Sequence, residues 1–228
     1  MHTGSELKRA AALTAALGAA LVWVTLAVSA PGDPQIKLRA ADQAYAKTFV
    51  LRKGELPAGR WQAKPTDFSQ PNPTCLVKHY SYSALTVTGE TGLTFTSVDG
   101  IPIVESDALV FPSAAQARTA FSIDSKPGLA RCFGADLAAE LGKTPGVKAG
   151  VQKIEPLSFA GLAAPTRGFR IVLRVQSSQS TGFLDVTFVA ISRGRAIGEL
   201  SLVRAGASAP QAVVRTLAAK MATRMTKG

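Results

Sequence analysis

The chain has 228 residues, of which 46% are hydrophobic and 18% are charged, a composition typical of a globular protein rather than of a disordered or polytopic membrane protein. Its net charge is +11, and a basic protein attracts anionic surfaces such as nucleic acids, acidic membranes and wall polymers. The basic residues are scattered and aromatic residues make up only 7% of the chain, which argues against a nucleic-acid surface built from basic and stacking side chains.

An uncharged segment, residues 10–30, follows the basic pair Lys8-Arg9 near the N-terminus. As a helix this segment would be about 31 Å long, close to the hydrocarbon thickness of a bilayer. The basic pair before it favours a cytoplasmic N-terminus and an exported C-terminal part. We therefore predict a cytoplasmic tail over residues 1–9 and a transmembrane anchor over residues 10–30. Residues assigned to the span include Ala10, Leu13, Leu17, Leu21, Trp23, Leu26 and Ala30.

The same segment has features of a cleavable signal. Val28-Ser29-Ala30 is a small-x-small sequence of the kind that signal peptidase accepts. Pro31 would follow the cut, and the apolar run is longer than the core of most signal peptides. We expect a retained anchor that leaves the C-terminal domain outside the cell membrane, and secretion after cleavage near Ala30 is the alternative.

Residues 31–37 form a short linker that contains Pro and Gly, and residues 38–228 are predicted to form one extracytoplasmic domain. Helical spacing of apolar residues predicts a first helix over residues 38–51, and Trp61 begins a strand. Alternation of apolar and polar residues predicts a hairpin of strands 84–88 and 93–98 around residues 89–92, followed by a third strand over residues 101–111.

Helices follow that strand block, and a second strand block follows the helices. Their predicted ranges are helices at 112–121 and 129–142, a strand at 147–155, a loop at 157–167, strands at 169–176, 183–192 and 196–204, and a closing helix from Pro210. This order predicts an α+β fold in which a single antiparallel sheet is flanked by helices in α-β-α layers.

The two cysteines, Cys75 and Cys132, both lie in the part that we expect to be exported. An even cysteine count outside the cytoplasm predicts a disulfide bond between them. Two unrelated buried thiols are the alternative. Together with His79 the cysteines fall short of a convincing ligand set, so we predict no metal site.

Catalytic residues are scarce in this sequence. His79 is the one histidine after the hydrophobic segment, so histidine-based nucleophilic catalysis outside the membrane would depend on it. Glu105 and Asp107, two apart on a strand, point the same way, which suits metal binding or acid–base work, although an exposed polar face explains the pair more simply. The chain has no phosphate-binding, dinucleotide, nucleophile-elbow or zinc-protease motif. We predict a non-enzymatic protein without a cofactor, and an enzyme with an unrecognised site near His79 is an alternative.

Several stretches resemble exported or membrane-anchored proteins of actinobacteria. They are Ala40-Ala41-Asp42-Gln43, Glu55-Leu56-Pro57-Ala58-Gly59-Arg60-Trp61, Phe111-Pro112-Ser113-Ala114-Ala115, Arg131-Cys132 and Gly194-Arg195. The domain is similar to the extracytoplasmic sensor-type domain of PknH-like receptor kinases and to related Mog1/PsbP-like envelope proteins. The resemblance implies an α-β-α domain with a helix-borne disulfide and a cleft for an envelope ligand.

The chain departs from those kinases because only nine residues precede its hydrophobic segment. We therefore expect a sensor-like binding domain that passes any signal to a protein partner. A lipid or cell-wall molecule is the expected ligand, the membrane is contacted through the N-terminal helix, and no nucleic acid is expected. A structural or accessory envelope protein that needs no small ligand is the alternative.

Overall fold

The computed structural model describes residues 33–68, 80–178, 180–206 and 209–225. The predicted anchor, Cys75 and His79 lie outside these residues. Among the residues described, no helix combines the length and the apolar character that crossing a membrane requires.

A large antiparallel sheet forms the centre of the described fold. Its strands lie in the order β2-β4-β5-β9-β8-β7-β6, and every neighbouring pair is antiparallel. A separate short pair, β1 with β3, is parallel, so the prediction of a single sheet was incomplete. The strands are β1 (Gln35–Ile36), β2 (Trp61–Pro65), β3 (Thr86–Val87), β4 (Gly89–Ser97), β5 (Ile103–Val110), β6 (Lys148–Leu157), β7 (Thr166–Gln176), β8 (Thr181–Arg193) and β9 (Ala196–Ala205).

Helices cover both faces of this sheet, as the α+β prediction requires. They are α1 (Ala40–Ala46), α2 (Ala114–Asp124), α3 (Pro127–Gly142) and α4 (Gln211–Met225). Successive strand residues point to opposite faces. On β5, Val104 and Ala108 therefore pack in one core with Leu217 and Met221 of α4. We call this side the α4 face, and the opposite side, covered by α2 and α3, the α3 face.

The helix α3 confirms the apolar stripe that its sequence predicts. Its buried residues include Leu129, Phe133 and Leu137, which pack on strand residues of β7 and β8. At Gly134 a Cβ atom would lie 3.2 Å from the Ile171 side chain, so the missing side chain lets the helix approach the sheet closely. Packing of this stripe closes the α3 face over the second half of the sheet.

The predicted hairpin around residues 89–92 is wrong. The chain runs through this segment as the continuous strand β4, which pairs with β5 from Gly89 onwards. A side chain at Gly89 would collide with the Asp42 backbone, and one at Gly92 would collide with the Asp107 carboxylate. The glycines thus serve close approach inside the sheet rather than a turn.

The first helix is shorter than predicted. Arg39 is extended and donates its backbone N–H to Thr88 O at 2.7 Å, so the helix begins at Ala40. Leu38, the first residue of the predicted helix, lies before the observed helix and is 47% exposed.

Candidate functional site

The most distinctive polar feature of the described fold is a group of buried carboxyl groups on the α3 face. Glu105 and Asp107 of β5 are only 3% and 5% exposed. Glu199 of β9, which stands directly opposite Asp107 in the strand register, is 6% exposed. The prediction that Glu105 and Asp107 belong to an exposed polar face is therefore wrong, because neighbouring segments of the chain cover this part of the sheet.

The position of these residues follows from the strand pairing. On the same face of β5 and β9, one end of the acidic patch adjoins Ile103 and Val203 of the core under α3. The other end adjoins Leu109 and Ile197 of the core under α2. The carboxyl groups occupy the gap between two apolar cores, where water is scarce and charge is costly.

A fourth carboxyl group reaches this gap from α2. Asp124, the last residue of that helix, is 6% exposed and accepts a hydrogen bond of 2.7 Å from the Tyr82 hydroxyl. Burial raises the pKa of Glu199, and the charge of Asp124 raises it further. We refer to Glu105, Asp107, Asp124 and Glu199 as the carboxylate cluster.

Two threonines hydrogen-bond to the β5 end of the carboxylate cluster. Thr66 donates to Asp107 Oδ1 at 2.8 Å, and Thr94 donates to Glu105 Oε1 at a long 3.4 Å. Glu105 Oε2 is buried and has no hydrogen-bond partner in the described part of the chain. A buried oxygen in this position favours the neutral carboxylic acid over the carboxylate.

The electrostatics of the cluster follow from its burial. Burial raises the pKa of Glu105 to about 7, against weaker opposing effects of the Thr94 hydrogen bond and the Lys64 charge. Burial likewise raises the pKa of Asp124 to about 7. Burial, reinforced by the neighbouring carboxylates, raises the pKa values of Asp107 and Glu199 well above their usual range. The cluster therefore holds protons at pH values where exposed carboxyl groups have lost them.

The carboxylate cluster can bind and release protons. A metal site would require at least three ligand side chains that converge on one point. Within residues 33–68, 80–178, 180–206 and 209–225, no three His, Cys, Asp or Glu side chains converge closely enough to hold a metal ion. Glu105 and Asp107 do share one strand face, as their spacing predicts, and their burial means that a substrate could reach them only if the chain moved.

Two predictions, the disulfide bond and a site near His79, are not tested by the described residues. Cys132 lies on α3 and is 6% exposed, but Cys75 is outside the described residues, so their disulfide stays a prediction. His79 is also outside them, so its distance from the carboxylate cluster is not defined.

Sequence reasoning missed Asp124, Glu199 and Tyr82. Glu199 is a lone acidic residue in an apolar strand, and a charge in such a run is a signal of an unusual buried position. Asp124 closes a helix whose apolar spacing gives no sign that its last residue turns inward. Only the fold joins Tyr82 to Asp124 and places Glu199 opposite Asp107.

Surface concavities are formed by other segments. Residues 156–167, between β6 and β7, line an open concavity of about 610 Å³. A second one, of about 450 Å³, lies between Glu55 and the exposed side of α4. Both are distant in sequence from the carboxylate cluster and open to solvent.

Comparison with known proteins gives a structural likeness but no match to a protein family. No protein-family model matches the chain, and no curated protein matches it. Among solved structures, the chain is similar to the crystal structure of the extracellular domain of PknH from Mycobacterium tuberculosis. The match covers 82% of this chain and 97% of that one, with 11% sequence identity and a TM-score of 0.42. The resemblance drawn from the sequence thus recurs in the structural comparison, at a level that assigns no function.

Proposed function

We propose that the chain is a membrane-anchored extracytoplasmic binding domain of the sensor type, and that it is not an enzyme. The observation that carries the proposal is the uncharged run over residues 10–30, long enough to span a bilayer and preceded by a basic pair. The described fold begins directly after it, with β1 at Gln35. The order of basic pair, span and folded domain is that of a single-pass protein with its domain outside.

A binding role fits the described residues better than a catalytic one. The raised pKa values of Glu105 and Asp107 are a feature of many active sites, but both side chains are at least 95% buried. A buried cluster that holds protons supports a domain whose stability depends on pH. Its capacity to bind a ligand would then depend on pH as well. An envelope lipid or wall molecule remains the proposed ligand, and a separate protein the proposed recipient of the signal.

The test is native mass spectrometry of the full chain purified in mild detergent from the membranes of its own cells. We expect the folded chain to retain a lipid or another envelope molecule that is lost on unfolding. A chain recovered from membranes without any bound molecule would favour the structural or accessory role instead. Recovery of the chain only from the medium, starting at Pro31, would contradict the anchored form and support secretion.

A further inference from the structure

The N-terminal segment enters the fold from beyond one end of the sheet. Gln35 donates its N–H to Leu85 O at 2.9 Å, and Arg39 donates to Thr88 O at 2.7 Å. Thr88 in turn donates to Val110 O, also at 2.7 Å, at the end of β5. Because β1 runs parallel to β3, and β3 leads into β4, Gln35 lies farther from the sheet than Ile36 does. We call this end of the domain the β1 end.

Exposed basic side chains collect at the β1 end. Lys37 and Arg39, both exposed, flank Leu38, which is 47% exposed. Arg193, the last residue of β8, is exposed and donates a hydrogen bond to Ala163 O at 2.9 Å. In the strand register β5 and β8 end here and β9 begins. Arg167 is exposed at the start of β7, and this part of β7 pairs with the last residues of β8. The β1 end thus combines four exposed cations with one exposed aliphatic side chain.

The acidic groups at the same end do not cancel these charges. Asp42 is engaged by Arg195 at 2.9 Å, and this guanidinium lowers the Asp42 pKa. Glu90 is half-buried, and burial raises its pKa. Asp33 lies between the anchor and β1. The surface that faces away from the sheet at this end is therefore basic.

The length of the tether decides which surface these charges meet. Four residues, 31–34, lie between Ala30 and Gln35, so five residue steps join the two and reach about 17 Å when fully extended. The headgroup layer outside the hydrocarbon takes up roughly 5–8 Å of that distance. The β1 end is then held within about 10 Å of the headgroups, which is comparable with the Debye length at physiological ionic strength. Charges at this distance are attracted to anionic lipid without any further partner.

We propose that the β1 end docks on the anionic headgroups of the bilayer that holds the anchor, with Lys37, Arg39, Arg167 and Arg193 on the lipid phosphates and Leu38 in the interface. This surface rests on the proposed function, because the tether exists only if residues 10–30 stay in the membrane. Docking fixes the orientation of the domain, so that the opposite end, where β2 begins and β6 begins, points away from the membrane.

The test uses the full chain in nanodiscs and hydroxyl-radical labelling of its own side chains. Leu38 reports on the β1 end, and Val98, 44% exposed beside the start of β2, is a matched aliphatic control at the opposite end. In nanodiscs with phosphatidylglycerol we expect labelling of Leu38 to fall several-fold relative to Val98. In pure phosphatidylcholine the ratio should be close to that in detergent, and added salt should restore it in the anionic discs.

Charge reversal separates docking from simple proximity. The triple variant K37E/R39E/R193E should lower the ratio of docked to undocked domain by at least roughly 100-fold, because the loss of each positive charge alone costs about five-fold, and Leu38 should regain its labelling. The control R60E/K148E/R174E removes three exposed cations from the far end and should leave Leu38 protected. Circular dichroism melts check that both variants fold, and the salt dependence of the unaltered chain remains decisive if one of them does not.

Each outcome has one meaning. Failure of the chain to enter nanodiscs of either composition would overturn the anchor and with it the proposed function. Stable insertion with the same ratio of Leu38 to Val98 labelling in both lipids would overturn the docking surface alone. Protection of Val98 instead of Leu38 would show that the opposite end faces the bilayer.

Discussion

Replacing Glu105 by Gln should make the domain more stable at neutral pH and remove part of its pH dependence. The Glu105 carboxyl is 3% exposed and its pKa is raised from 4.5 to about 7. Because burial disfavours the charged form, the folded state binds this proton more tightly than the unfolded state does. The group costs nothing below pH 4.5, where both states are protonated, and stability falls as the pH rises from there through 7.

The magnitude follows from the shift. Raising the pKa of Glu105 from 4.5 to about 7 corresponds to roughly 3 kcal/mol at pH 8, because each tenfold change in proton affinity is about 1.4 kcal/mol. Glu105→Gln keeps the shape of the side chain and cannot ionise. We therefore expect this variant to unfold about 6–12 °C higher than the unaltered chain at pH 8, at about 2–4 °C per kcal/mol for a chain of this size.

The assay is thermal unfolding of the full chain in detergent, followed by circular dichroism between pH 4 and pH 8. The two melting curves should coincide near pH 4 and separate steadily above it. Glu155→Gln is the control, because Glu155 pairs with Lys153 and its pKa is lowered. That variant should give no gain at pH 8. A constant difference between Glu105→Gln and the unaltered chain across the pH range would refute the assignment of a buried, proton-holding Glu105.

Two further substitutions test the packing and the cysteines. Gly92→Ala should lower the unfolding free energy by about 1–3 kcal/mol, because its Cβ would collide with the Asp107 carboxylate and lie 2.6 Å from Thr66 Oγ1. Gly150→Ala on the edge strand is the control, because its Cβ would meet no atom within 4 Å. Equal melting temperatures of the two variants would contradict the close approach at Gly92. Cys75 and Cys132 should resist thiol labelling in denaturant until a reductant is added, and reduction should cost up to about 4 kcal/mol of stability. Labelling without reductant would show that the two thiols are unpaired.

The sequence predicts correctly those elements in which the local residue pattern agrees with the position of the element in the final fold. The helix α3 has an apolar stripe with helical spacing, and all of Leu129, Cys132, Phe133, Leu137 and Leu141 are buried. The strands β5 to β9 lie within a few residues of their predicted ranges, because alternation and the turn at Gly194 mark them clearly. Local pattern and final fold reinforce each other here.

Prediction failed where the deciding contact comes from a distant segment. The glycines at positions 89 and 92 resemble a turn locally, but they admit the Asp42 backbone and the Asp107 side chain. The spacing of Glu105 and Asp107 places them on one face, but only the packing of the α2 and α3 segments and of Thr66 determines that this face is buried. Alternation along a strand shows which residues share a side; it does not show what covers that side.

The central claim, a retained anchor that holds the domain at the outer side of the membrane, is tested most directly by the intact mass of the chain extracted from washed membranes of its own cells. The account predicts a mass that includes residues 10–30, beginning at Met1 or, after removal of Met1, at His2. A mass that begins at Pro31 would contradict it.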